Sequence, residues 1–154
     1  MKIPVALRIN GETYELSIAP YRTLVDVLRE EIQLTGSKKG CDVGDCGACT
    51  VLLDGKPVNS CLVLAATAQG CEILTIEGLA RAGKLHRLQE SFLKEGAVQC
   101  GFCTPGILMS LKALLGDNPS PTQEEVKTAI AGNLCRCTGY SKIFNAVDAA
   151  THTD

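Results

Sequence analysis

Cysteine spacing constrains this chain more than any other feature. Eight of its nine cysteines fall into two sets of four: Cys41, Cys46, Cys49 and Cys61, then Cys100, Cys103, Cys135 and Cys137. The first set reads C-x4-C-x2-C with a distal fourth cysteine, and the second reads C-x2-C followed by C-x-C. Four thiolates are the ligand number of an iron–sulfur cluster, so the spacing predicts two clusters and one-electron chemistry. Any fold of the 154 residues has to bring each set of four together.

Length and charge narrow the rest. Two halves of about 75 residues would each lie near the lower limit for an independent core, and metal ligation offsets that weakness by tying distant segments together. With 15 basic and 17 acidic residues the net charge is -2, which leaves no basic stripe for nucleic acid. Bound clusters add negative charge, and backbone N–H groups near Gly40, Gly44, Gly47 and Gly101 are placed to compensate for it. No signal peptide opens the chain and no apolar run nears the roughly 18 residues of a membrane span, so the expected location is the cytoplasm. Export alongside a partner that carries a signal is compatible with the same sequence. The odd cysteine count and the close C-x2-C and C-x-C pairs argue against a disulfide framework.

The chain divides in two. Residues 6–10 and 13–18 alternate and meet at Asn10-Gly11, a strong hairpin signal, and residues 23–32 carry Leu24, Val27, Leu28 and Ile32 on one helical face behind Thr23 as N-cap. Residues 35–49 read as a loop. Strands over 50–53 and 56–58 flank Asp54-Gly55, a second hairpin signal; 61–68 reads as a short helix and 73–76 as a closing strand. That order resembles a β-grasp ferredoxin. Helices are predicted over 85–94, 105–115, 122–131 and 141–150, with a capping box at Thr122 and Glu125. The expected class is α+β: a β-grasp, plant-type ferredoxin-like domain over 1–77, a linker over 78–84, and a four-helix-bundle [2Fe-2S] domain over 85–154.

C-x4-C-x2-C with one remote cysteine is the spacing of plant-type [2Fe-2S] ferredoxins. In GCDVGDCGACTV the glycines free the backbone to turn N–H groups toward sulfur. Four thiolates also bind zinc, and spacing alone does not identify the metal. Zinc knuckles supply two close pairs; the first set does not, whereas the second does, although C-x-C is unusual in a knuckle. The pairs in QCGFCTPG and NLCRCTGY are expected at helix ends, where free N–H groups favour thiolate charge. Cys71 belongs to neither set and reads as a small buried hydrophobe. His86, on a predicted helix, and His152, in the tail, lack the spacing of a Rieske centre, and Arg136 between two candidate ligands either tunes a cluster, faces a partner or is simply solvated. No catalytic residue is expected, because nucleotide-binding, zinc-protease and nucleophile motifs are absent.

Taken together, GCDVGDCGACTV, Cys61, QCGFCTPG and GNLCRCTGY resemble the small iron–sulfur subunit of the xanthine dehydrogenase, aldehyde oxidoreductase and carbon monoxide dehydrogenase family of molybdenum hydroxylases. The likeness runs over nearly the whole chain and all eight ligand positions are filled. It implies a subunit of a multi-subunit oxidoreductase with no substrate chemistry of its own. Single electrons would pass from molybdopterin on a large subunit, through two [2Fe-2S] clusters here, to FAD on a medium subunit. It implies a heterotrimer, or a dimer of heterotrimers, with the Cys100, Cys103, Cys135 and Cys137 cluster nearer the molybdopterin. Gln99 and Cys137 would approach the pterin. The implied substrate is a purine, an N-heteroaromatic or an aldehyde, and GAVQCGFCTPG and TIEGLA lean toward the xanthine and nicotinate dehydrogenases. A free-standing two-cluster ferredoxin and a structural zinc adaptor are the competing readings.

Overall fold

Two turns with positive φ shape the first half. The computed structural model describes residues 1–152, and in it β1 (Ile3–Ile9) and β2 (Glu12–Ile18) pair antiparallel with Ile9 opposite Glu12. Asn10 and Gly11 turn at φ 53° and 85°, the backbone a two-residue hairpin requires. β1 begins earlier than the alternation suggests because Pro4 loses nothing there. The N–H two residues on, of Ala6, bonds to Gln69 Oε1, so the ring nitrogen of Pro4 also points away from β2. β3 (Thr50–Leu53) and β4 (Lys56–Asn59) repeat the device at Asp54-Gly55, with φ 49° and 81°.

β5 (Glu72–Leu74) runs parallel to β1 and antiparallel to β3, completing a five-stranded sheet in the order β2-β1-β5-β3-β4. Against it lies α1 (Leu24–Asp26), capped by Thr23 Oγ1, which widens without a break into a π-helical turn over Val27–Glu31. Leu24, Val27 and Leu28 bury against Val5, Leu7, Ile9, Ile18, Val51 and Ile73. From that turn Arg29 donates to the carbonyls of Thr35 (2.7 Å) and Ser37 (2.8 Å), tying down the start of the cysteine loop.

The expected helix over 61–68 is instead two short 3-10 turns, Ser60–Leu62 and Ala65–Ala68. Val63 and Leu64 between them are extended, because Val63 O accepts from Leu24 N and Ala65 N donates to Arg22 O. Those bonds to the start of α1 outweigh the local helical preference.

The second half consists of α2 (Arg87–Lys94), α3 (Thr104–Asp117), α4 (Gln123–Ala129) and α5 (Ser141–His152). Leu88, Phe92, Ile107, Leu111, Val126, Ile143 and Val147 form their common core, and Ser91 Oγ donates to Ala146 O across α2 and α5. Leu79, within the expected linker, is buried in that core. Farther on, Ala82-Gly83 makes a tight positive-φ turn closed by paired Arg81 and Lys84 backbone bonds. α3 buries Gly106 to Leu111 without interruption, since one side faces the bundle and the other lies on β3. The two halves therefore share a helix.

Candidate metal centres

Cys41, Cys46 and Cys49 lie on the loop that Arg29 anchors, and Cys61 follows β4 in the turn Ser60–Leu62. Asp42, Gly44 and Gly47 take positive φ there, curling the loop around the Cys41 sulfur. Three backbone N–H groups point at that sulfur, from Val43 (3.5 Å), Asp45 (3.3 Å) and Cys46 (3.3 Å). Those of Val43 and Cys46 chiefly lower the Cys41 thiol to about 7. Gly40 needs room rather than freedom: a Cβ on it would sit 2.9 Å from Cys46 Sγ and 3.3 Å from the Phe102 ring. Cys49 and Cys61 are the buried side of the set, 2% and 5% exposed. Burial, then the hydrogen bond to Cys49, pushes the Cys61 thiol up to about 11.

In the second half Cys103 stands at the N-cap position of α3 without a side-chain capping bond, while Cys135 and Cys137 occupy the loop between α4 and α5, short of either helix end. Burial and then the bond to Cys135 raise Cys103 to about 12. Burial works against ionisation of Cys135 as well, but the hydroxyl and N–H of Thr138 more than offset it and lower that thiol. Cys137 bonds to Cys100, and both are exposed.

The thiols thus meet in pairs: Cys41 with Cys46, Cys49 with Cys61, Cys103 with Cys135, and Cys100 with Cys137. Cys61 also feels the charge of Cys41, and Cys137 that of Cys135, so each two pairs are neighbours. Among the described residues no three His, Cys, Asp or Glu side chains converge on a point that would hold one metal ion. Two neighbouring pairs of thiols suit a two-iron cluster, which takes two thiolates for each iron.

The two sets touch. Leu134 N donates to Cys46 O at 2.9 Å, and Phe102, between Cys100 and Cys103, reaches the first loop at Gly40. Beneath them the buried Asn133 side chain donates to Gly47 O and Thr50 Oγ1 and accepts from Ser110 Oγ.

Residues 7–75 match the family of 2Fe-2S iron-sulfur cluster binding domains, and residues 75–148 the [2Fe-2S] binding domain family. The nicotinate dehydrogenase small FeS subunit of Eubacterium barkeri is 52% identical over 146 residues, 95% of this chain and 93% of that protein. The chain is an iron–sulfur small subunit of the molybdenum hydroxylase family. Quinoline 2-oxidoreductase from Pseudomonas putida 86 superposes with a TM-score of 0.94 at 46% identity, covering 97% of this chain and 94% of the matched one. The aldehyde oxidoreductase from Desulfovibrio desulfuricans ATCC 27774 does so at 0.92 and 44% identity, but there the match spans only 17% of a longer chain. As a member of this family the small subunit carries two [2Fe-2S] clusters and is part of a xanthine-dehydrogenase-type oxidoreductase. Its architecture is α+β, a β-grasp sheet followed by a helical bundle.

Gln99 is exposed beside Cys100, on the open edge of the second set, and Arg136 is exposed between Cys135 and Cys137. Cys71 is not buried as expected: it is partly exposed, and its bond to the Asp54 carboxylate raises its thiol. His86 is not inside α2 but caps it, Nδ1 accepting from Leu88 N at 3.2 Å. His152 ends α5, and its side chain lies outside the described residues. Asn133, Ser110, Thr138 and Tyr140 do not stand out in the sequence; the only signal for three of them is that polar residues flank the cysteines in GNLCRCTGY.

Among the described residues no helix is long and apolar enough to cross a membrane.

Proposed function

We propose that the small subunit relays single electrons between a molybdopterin-bearing large subunit and an FAD-bearing medium subunit, in a heterotrimer or its dimer. In this reading Cys41, Cys46, Cys49 and Cys61 ligate one cluster, and Cys100, Cys103, Cys135 and Cys137 the other. Each [2Fe-2S] cluster, when bound, takes up and releases one electron at a time. The observation that carries the reading is the backbone bond from Leu134 N to Cys46 O, which joins the loops of the two thiol sets directly.

The chain's own residues hold and tune. Backbone N–H groups of Val43, Asp45 and Cys46 stabilise charge on Cys41, and Arg29 holds the loop that presents them. The open edge formed by Gln99, Cys100 and Cys137 is the side we assign to the molybdopterin subunit, with Gln99 and Cys137 nearest the pterin. Phe102 and Leu134, next to Cys103 and Cys135 in sequence, are 46% and 58% exposed, which supports a docked subunit over a freely diffusing ferredoxin. The relatives named for nicotinate, nicotine and xanthine support an N-heteroaromatic or purine substrate for the complex, with an aldehyde the third class. We assign the complex to the cytoplasm.

Low-temperature EPR of the dithionite-reduced chain, with iron, zinc and sulfide counted on the same sample, tests the assignment. It expects two distinct S = 1/2 signals and about four iron and four sulfides per chain. Two iron, or zinc in place of iron, would overturn it, and a natively purified complex with no molybdopterin- or FAD-bearing subunit would overturn the proposed relay.

A further inference from the structure

Thr138 follows Cys137 in a tight turn where Gly139 and Tyr140 take φ 60° and 67°. The turn is braced: Tyr140 OH accepts from Cys135 N at 2.8 Å and donates to Asn133 O at 3.0 Å. It sets the Thr138 hydroxyl 3.0 Å from Cys135 Sγ and the Thr138 N–H 3.5 Å from the same sulfur. Tyr140 N donates to Thr138 Oγ1 at 3.1 Å, which occupies the oxygen as acceptor and leaves its proton for the sulfur. A metal-bound thiolate has no proton to give, so in the loaded protein the hydroxyl is the donor of this pair. The first set is arranged differently, its bonds to Cys41 Sγ coming from backbone N–H groups, which only a change to proline would remove.

We propose that Thr138 is a positioning residue that tunes the second cluster, its O–H···S bond to Cys135 raising that cluster's reduction potential selectively. Reduction adds one negative charge, part of it on the thiolate sulfurs, and a hydrogen bond to sulfur stabilises the reduced form more than the oxidised. The inference rests on Cys135 being a ligand of that cluster. In the second centre a side-chain hydroxyl thus adds to the backbone N–H bond at the ligand sulfur, whereas Val43, Asp45 and Cys46 offer Cys41 Sγ backbone N–H groups.

The test is an EPR-monitored redox titration of the iron-loaded full chain carrying T138V, T138A, T138S or C135S. T138V and T138A should lower the midpoint of one signal and leave the other in place, while T138S, which keeps the hydroxyl, stays at the wild-type value. An unshifted midpoint in T138V, an equal shift in T138S, or movement of both signals would overturn the tuning role. So would loss of the cluster from T138V and T138A but not T138S, since the hydroxyl would then hold the cluster rather than tune it. C135S separates the two layers: it should abolish the signal that T138V shifts, and retention of both signals with about four iron per chain would overturn the ligand assignment itself.

Discussion

Asn133 Nδ2 donates to the carbonyl of Gly47 at 3.0 Å, across 86 positions of sequence, with the asparagine only 4% exposed. That amide joins the two halves between the thiol sets: its oxygen takes the Ser110 hydroxyl from α3 and its nitrogen also reaches Thr50 Oγ1 at the start of β3. Asn133→Ala leaves buried Ser110 without its acceptor and should cost about 2 kcal/mol. Asn133→Asp should cost more, about 3–5 kcal/mol, because a carboxylate oxygen would face the Gly47 carbonyl and bury an unpaired charge. Urea denaturation of the loaded chain checks the order, and N133D should regain stability relative to N133A as the pH is lowered and the carboxylate protonates.

Two glycines of α3 make opposite predictions. A Cβ on Gly106 would sit 2.2 Å from Gly47 O, whereas one on Gly116 would meet nothing within 4 Å. Alanine is intrinsically better than glycine in a helix by about 1 kcal/mol, so Gly116→Ala should stabilise by up to that amount. At Gly106 the same gain is outweighed, since a backbone carbonyl of the other half would have to move. Gly106→Ala should therefore destabilise by about 1–3 kcal/mol. Thermal denaturation of both variants decides it, and a stabilised G106A would mean that the halves do not approach so closely.

Removal of one thiol should be felt by one cluster only. Cys103→Ser should abolish one of the two EPR signals and about half of the iron. Cys71→Ser should leave iron and both signals unchanged, because Cys71 bonds to Asp54 away from both sets. Equal losses in the two variants would contradict the partition of the thiols.

The features legible in the sequence are those whose chemistry is local. Asn10-Gly11 and Asp54-Gly55 announce hairpins because those residues tolerate the φ values the turns need. Thr23 and Thr122 announce helix starts because each bonds to an N–H three positions on. The cysteine sets are legible because close spacing along the chain already keeps most of their thiols near one another. What stays hidden depends on partners far along the chain. The π-helical turn after α1 stands beside the reach of Arg29 to Thr35 and Ser37, and residues 61–68 lose their helix to bonds with Arg22 and Leu24. Asn133 reads as an ordinary loop polar residue until Gly47 is brought beneath it.

His86 couples α2 to pH. Its Nδ1 accepts from Leu88 N while Gln89 Oε1 accepts from His86 N, a cap that only the neutral ring can make. Burial, then the nearby charges of Lys112, Arg87 and Arg81, lowers its pKa below 6.5. The folded protein thus binds fewer protons than the unfolded chain between the two values, and stability rises with pH across that window. The contribution is complete above 6.5 and is lost as pH falls through the folded value. His86→Asn keeps a side-chain acceptor at the N-cap without a titrating ring. Denaturation midpoints compared between pH 7.5 and pH 5 should therefore fall less in H86N than in the unmodified chain. Parallel slopes in the two proteins would show that other groups carry the acid sensitivity.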